Sequence, residues 1–202
     1  MAKDTDALIV IDVQVDFCPG GALAVAGGDE IVPGINSRLA DFRTKVFTQD
    51  WHPAGHSSFA SSHTGKAPFE AIEMPYGPQV LWPDHCVQGS PGAAFHPGLQ
   101  TDPADLILRK GFRAPIDSYS AFFENDRSTR TGLEGYLRER GITSVTLVGL
   151  ATDFCVQYSA LDAARLGFDV TVELSLCRAI DLDGSLAAAN ASMAGAGVRL
   201  AE

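Results

Sequence analysis

The run Ala7-Leu8-Ile9-Val10-Ile11, closed by Asp12, leaves few folds open to this chain. Five consecutive apolar residues show neither the alternation of a half-exposed strand nor the 3.6-residue spacing of an amphipathic helix. They suit a strand buried on both faces, the position strands take in a parallel sheet covered by helices. Lys45-Val46-Phe47-Thr48, Leu106-Ile107-Leu108, Val145-Thr146-Leu147-Val148 and Val170-Thr171-Val172 have the same character, and Val198-Arg199-Leu200 is a last short candidate. Helical patterns fall between them. One follows Gly28-Asp29 and lines Ile31, Ile35, Leu39 and Phe42 along one face. A second begins near Thr131, where Glu134 suggests a capping box, and stops at Gly141. A third runs from about Phe154 to Leu166 and stops at Gly167; a fourth runs from Ser185 to Ala194 and ends at Gly195. Alternating strands and helices predict an α/β fold, a parallel sheet with helices on both faces.

A chain of 202 residues suits one well-filled core better than two domains, and no repeat, low-complexity tract or linker divides it. Residues 1–202 therefore read as a single domain. The regular alternation breaks at roughly 51–105, a stretch crowded with Pro, Gly, His and Ser. An irregular insert of that length in a compact domain usually has a function. In open α/β sheets, ligands bind where strands end and such loops begin.

The formal net charge of −10, with Lys and Arg dispersed among acids, argues against a nucleic-acid partner, which needs clustered cations. No window approaches the ~18 apolar residues of a membrane span. The start, Met1-Ala2-Lys3-Asp4-Thr5-Asp6, has no basic region, apolar stretch or small-residue cleavage site, so a cytoplasmic address is expected. Cys18, Cys86, Cys155 and Cys177 lie far apart without a C-x-x-C pair and read as free thiols.

Three strand ends carry chemistry. Asp12 follows the first strand, Lys110 the third and Cys155 the fourth, so one edge of the sheet gathers an acid, an ammonium and a thiol. A thiol with its reference pKa of ~8.5 needs a base, a cation or a helix N-terminus to become a nucleophile. Cys155 falls near the start of the third helix, Lys110 would favour the thiolate, and Asp12 could accept the proton. The backbone N–H groups of Ala151 and Cys155 are candidate donors to a tetrahedral oxyanion. Taken singly, each residue has an ordinary alternative: an Asp capping a turn, a Lys on a solvated rim, a Cys in the core.

A second constellation lies at the insert. Asp50 and His52, at i and i+2 on an extended chain, can point the same way, and His85 could complete a set of two nitrogens and one oxygen. Such a set leaves positions open for water or a ligand, as expected of a working metal. Histidines in Pro/Gly loops also hydrogen-bond backbone groups. Cys86 has no second cysteine beside it and reads as structural; His63 and His96 read as surface or structural residues.

Read in order, these segments resemble the nicotinamidase and pyrazinamidase branch of the isochorismatase-like cysteine hydrolases. The matching blocks are Asp12-Val-Gln-Val-Asp16-Phe17, Gly20-Gly-Ala-Leu-Ala-Val25, Asp50-Trp-His52-Pro, His56-Ser-Ser-Phe59, Leu81-Trp-Pro-Asp-His85-Cys-Val-Gln-Gly89, Lys110-Gly111, Asp117-Ser-Tyr119-Ser-Ala-Phe122 and Gly149-Leu-Ala-Thr-Asp-Phe-Cys155. The resemblance implies a three-layer α/β/α sandwich around a mostly parallel central sheet, and a catalytic triad of Asp12, Lys110 and Cys155. It also implies a cis peptide between Leu150 and Ala151 that aims the Ala151 N–H at the oxyanion. Asp50, His52 and His85 are carried over as ligands of one divalent ion, for which Zn, Fe, Mn or Mg would serve, zinc being favoured. His56 is a ligand in some members and orients the site in others. Phe17 and Trp82 resemble the aromatic walls around a flat ring; Leu23, Val25 and Tyr119 line the pocket more loosely. The implied reaction is hydrolysis of nicotinamide, and also pyrazinamide, to the acid and ammonia through a cysteine thioester, a step of NAD salvage. Relatives without the metal ligands are the rival reading, as metal-independent amidases or hydrolases. No nucleic acid or membrane partner is expected, and homo-oligomerisation is left open.

Overall fold

The computed structural model describes residues 4–202; Met1–Lys3, the start of the acidic terminus discussed above, lie outside the described residues. The elements in chain order are β1 (Asp6–Ile11), α1 (Val32–Arg38), β2 (Thr44–Asp50), β3 (Ala71–Met74), β4 (Gly77–Val80), β5 (Leu106–Lys110), α2 (Leu133–Glu139), β6 (Ser144–Leu150), α3 (Gln157–Arg165), β7 (Asp169–Arg178), α4 (Ser185–Gly195) and β8 (Arg199–Ala201). The six expected strands form one sheet in the order β5-β2-β1-β6-β7-β8, and every pairing in it is parallel. The apolar run of β1 takes the centre, Val10 opposite Phe47 on one side and Val148 on the other, with Ala7 to Ile11 fully buried. Burial of each such large apolar side chain contributes about 1.5–3 kcal/mol.

Parallel connections are nearly always right-handed. The chain builds outward from β1 through β2 to β5, and outward on the other side from β6 through β7 to β8. Right-handed crossovers therefore place α1 on one face and α2, α3 and α4 on the other, where α3 and α4 also pack together. The order reverses between β1 and β6, so the crevice beyond their C-terminal ends is the place where such sheets bind ligands. Gly149 permits the tight junction there. Its φ is +120°, and a Cβ would lie 2.1 Å from the Ile11 carbonyl oxygen.

Local departures from the sequence reading have physical causes. α1 ends at Arg38, continues as a 3-10 turn over Leu39–Asp41, and Phe42 is already extended so that the chain can enter β2. At α2 the capping box does not form. Thr131 Oγ1 donates to the Ala121 carbonyl and accepts the Leu133 N–H at 3.3 Å, while Glu134 pairs with Arg130. The insert at 51–105 holds an antiparallel hairpin, β3–β4, that periodicity did not reveal. Its strands have four residues each, and one begins Gly77-Pro78, residue types that strands disfavour. Among the described residues no helix is long and apolar enough to cross a membrane.

Candidate active site

Four strand ends deliver four reactive side chains to one crevice. Asp12 leaves β1 with a left-handed φ of +48°, Asp50 closes β2, and Lys110 closes β5. Cys155 sits in a single π-helical turn, Thr152–Val156, between β6 and α3. All four are buried. Lys110 Nζ is the hub: it lies 2.8 Å from Asp12 Oδ2, 2.9 Å from the Ser118 carbonyl oxygen and 3.4 Å from Cys155 Sγ, and it donates to Asp50 Oδ1. An ammonium has three protons for these four neighbours. The Asp50 carboxylate, the Ser118 carbonyl and the Cys155 sulfur take all three, which leaves Asp12 Oδ2 an ion-pair neighbour without an aligned proton.

Burial governs the proton balance. It raises the Asp12 carboxyl above the usual carboxylate range, against the pull of Lys110. Burial also opposes the charge on Lys110, but Asp12 and Asp50 outweigh it and keep the ammonium protonated. For Cys155 burial prevails over Lys110, and the thiol is pushed well above its ordinary range. The resting site thus holds a Lys110 ammonium against Asp12 and a neutral Cys155 thiol. The expectation that Lys110 favours the thiolate holds in direction; burial is the larger effect. Thr48 Oγ1 donates to Asp12 Oδ1 at 2.6 Å, while Oδ2 faces Lys110 as an ion pair without an aligned hydrogen bond. Oδ2 is accordingly the oxygen open to an incoming proton.

Asp50, His52 and His85 converge beside this group. Asp50 Oδ2 lies 3.5 Å from His52 Nε2 and 3.7 Å from His85 Nε2. His52 Nδ1 is 2.9 Å from the Gly111 carbonyl and His85 Nδ1 is 2.8 Å from the Pro83 carbonyl. A carbonyl can only accept, so both rings carry the proton on Nδ1 and turn an Nε2 lone pair inward. His52 Nε2 is buried without a hydrogen-bond partner. Burial disfavours charge on His52, yet Asp50 outweighs it and raises the proton affinity of the ring. Inward lone pairs, a carboxylate and an orphaned nitrogen fit a divalent ion, with carbonyl acceptors orienting each ring from behind. His56 differs: Nδ1 is held by Ser58 Oγ at 2.8 Å, and Nε2 donates to the Arg113 carbonyl at 2.9 Å. With both nitrogens engaged, His56 packs on His52 and braces it.

A narrow cleft opens over these groups, lined among others by Phe17, Leu23, Trp82, Tyr119, Ala151 and Phe154. Phe17 lies edge-on to His85, and Trp82 edge-on to Phe154, with ring centroids 5.4 and 4.8 Å apart. Trp82 Nε1 donates to the Tyr119 hydroxyl at 3.0 Å, which fixes the indole. Val25 is buried in the core and does not line this cleft. The Leu150–Ala151 peptide is cis, as the resemblance implies. Cys86 is a buried thiol raised by desolvation, consistent with a structural role. A larger cleft of about 370 Å³ lies at the opposite end of the sheet, near the starts of β6 and β7, and none of the reactive residues lines it.

Some contributors were not singled out from the sequence. Asp117 lines the cleft, its Oδ1 3.9 Å from His52 Nε2, and Gln79 of the hairpin donates to its Oδ2. Asp153 accepts the backbone N–H groups of Ile180 and Asp181 and so pins the loop that brings Ile180 to the cleft. Phe154 and Ile180 add apolar wall. Asp117 and Asp153 lie within the matching blocks, but as single acids in loops they carry no signal of their own.

The sequence profile of the isochorismatase domain matches residues 6–202. The chain is 58% identical over 193 residues to the nicotinamidase of Acinetobacter baylyi, covering 96% of this chain and 90% of that relative. It superposes on the solved Acinetobacter baumanii nicotinamidase/pyrazinamidase with a TM-score of 0.99 at 54% identity, covering 100% of this chain and 98% of the other. For the pyrazinamidase of Pyrococcus horikoshii in complex with zinc, the TM-score is 0.78 at 34% identity, covering 98% and 99%.

Proposed function

The chain belongs to the isochorismatase family, and from that premise we propose that it hydrolyses nicotinamide to nicotinate and ammonia, with Cys155 as nucleophile. The observation that carries the reading is the contact of Lys110 with Asp12, Cys155 and Asp50 at once, in a cleft that Phe17 and Trp82 also line. A nucleophile, its base and a cation site share one apolar slot suited to a flat ring. The similarity to nicotinamidases supports the substrate.

Asp12 Oδ2 takes the proton of Cys155 Sγ as the sulfur attacks the carboxamide carbon. The oxyanion that forms accepts hydrogen bonds from the Ala151 and Cys155 N–H groups. Lys110 stays charged throughout and offsets the negative charge as it moves from carboxylate to sulfur and oxygen. Asp12 then returns the proton to the departing nitrogen, ammonia leaves, and an acyl thioester remains on Cys155. Water attacks the thioester while Asp12 accepts its proton, and collapse releases nicotinate and restores the thiol. One carboxyl group alternates between base and acid, a task served by its raised pKa.

Asp50, His52 and His85 would hold a divalent ion, with zinc the first candidate given the zinc-bound relative. When bound, that ion would take the ring nitrogen and select a pyridine carboxamide over a plain aromatic amide. Pyrazinamide offers the same nitrogen and the same carboxamide, and it is proposed as a second substrate. The test is ammonia release from nicotinamide and from benzamide, with and without a chelator. Nicotinamide turnover that is lost on chelation and restored by zinc supports the reading; equal, chelator-insensitive turnover of both amides overturns the substrate assignment.

A further inference from the structure

Two residues of the first motif take no part in the proton transfers above, yet their side chains are fully engaged. Gln14 is completely buried. Its Oε1 accepts the Asp50 N–H at 2.8 Å, and its Nε2 donates to the Asp50 carbonyl and to the Ala93 carbonyl, both at 2.9 Å. The β1–β2 ladder pairs residues only as far as Val10 with Phe47. Beyond it the Gln14 amide takes the place of a strand neighbour, satisfying both backbone groups of Asp50 where the ladder has run out.

Asp16 performs the matching task on the other ligand loop. Its Oδ2 accepts the Cys86 N–H at 2.7 Å, and its Oδ1 accepts the Ala22 N–H at 3.2 Å. Cys86 has a left-handed φ of +45° and directly follows His85. Its carbonyl in turn accepts the His52 N–H at 3.0 Å, and the His52 carbonyl accepts the Gln88 N–H at 2.8 Å. The turn that presents His85 and the segment that presents His52 are therefore zipped together, and one carboxylate anchors the zipper. The acceptor is a charged carboxylate, which makes this hydrogen bond stronger than a neutral one and helps hold the turn in a conformation its residue type disfavours.

We propose that Gln14 and Asp16 are positioning residues for the metal site: Gln14 sets Asp50, and Asp16 sets His85 and His52. The segment that begins with the catalytic base Asp12 thus fixes all three ligands at a constant offset from it. The proposal rests on the cation reading of Asp50, His52 and His85. Outer residues that orient metal ligands typically cost 10–100-fold in metal affinity when removed.

The experiment measures the zinc dissociation constant by competition with a chromogenic chelator, and the visible spectrum of the cobalt-substituted enzyme. It compares the wild type with Gln14→Met, Gln14→Glu, Asp16→Ala and Asp16→Asn, each checked by thermal melting without metal. Gln14→Met and Asp16→Ala are expected to weaken zinc roughly 10–100-fold and to shift the cobalt bands. Asp16→Asn keeps an oxygen for the Cys86 N–H and recovers most of the affinity. At saturating zinc, KM for nicotinamide rises more than kcat falls. Folded variants with wild-type zinc affinity and cobalt spectrum overturn the positioning role alone. A wild-type protein that binds neither ion overturns the cation reading and the proposal with it. Should Gln14→Met not fold, the two Asp16 variants and Gln14→Glu decide the matter.

Discussion

Lys110 and Asp50 are joined by a buried ion pair in which only one carboxylate oxygen of Asp50 is used: Oδ1 receives the ammonium, while Oδ2 faces the Nε2 atoms of His52 and His85. The carboxylate is held well below its usual range, because Lys110 and then His52 outweigh the burial that works against its charge. Asp50 thereby joins the proposed triad to the proposed cation site through a single side chain.

Replacing Lys110 with Met tests this balance. In the proposed mechanism Asp12 must be ionised to take the thiol proton, so activity is expected above its pKa and lost as pH falls through it. Burial already raises that pKa, and Lys110 is the main force holding it down. The acid limb of kcat/KM should move to higher pH in Lys110→Met, with a large fall in the plateau. Two buried carboxylates also lose their partner, at a cost of about 3–5 kcal/mol. A pH–rate profile and a thermal melt read both effects.

Cys155→Ala removes the proposed nucleophile and leaves the rest of the crevice in place. Turnover of nicotinamide should fall by about 10⁴-fold or more, the loss typical of a removed nucleophile. Zinc content and calorimetric binding of nicotinamide should persist. Retention of a substantial fraction of wild-type kcat would remove Cys155 from the mechanism.

Gly111 lies against His52. Its φ is +66°, and a Cβ there would sit 2.4 Å from His52 Cε1 and 2.7 Å from Nδ1. Gly111→Ala should cost about 1–3 kcal/mol of stability for the backbone conformation. The displaced imidazole should also weaken zinc binding, read by melting and metal titration on the same sample.

Trp82→Phe keeps an aromatic wall and deletes the hydrogen bond from Nε1 to the Tyr119 hydroxyl. A neutral hydrogen bond of this kind is worth about 1 kcal/mol, which corresponds to roughly fivefold in KM if the wall loosens. Steady-state kinetics on nicotinamide should show the change in KM with kcat nearly unaltered.

Much of this molecule is written along the chain. The apolar runs from Ala7 and from Val145 read as doubly buried strands, and they lie at the centre of the sheet. Asp12, Lys110 and Cys155 read as strand-end residues, and parallel strands that end together bring such residues to one edge. The positions of Asp50 and His52 on an extended segment also carried through, since alternation along a strand is a local property. The β3–β4 hairpin was not legible, because four-residue strands with Gly and Pro show no period.

The tertiary structure decided what depends on neighbours distant in sequence. Asp12 and Lys110 are 98 residues apart and meet at 2.8 Å, and only that contact and its burial determine which group is charged. The neutral resting thiol of Cys155 follows from desolvation outweighing Lys110, a balance no spacing records. Gln14 and Asp16 have no partner legible in the sequence; only the fold brings the Asp50 and Cys86 backbones onto their side chains. Sequence determines where a strand can be buried, because burial follows local hydrophobicity. Proton affinity and ligand orientation belong to the folded crevice, because they are set by charges and hydrogen bonds acting through space.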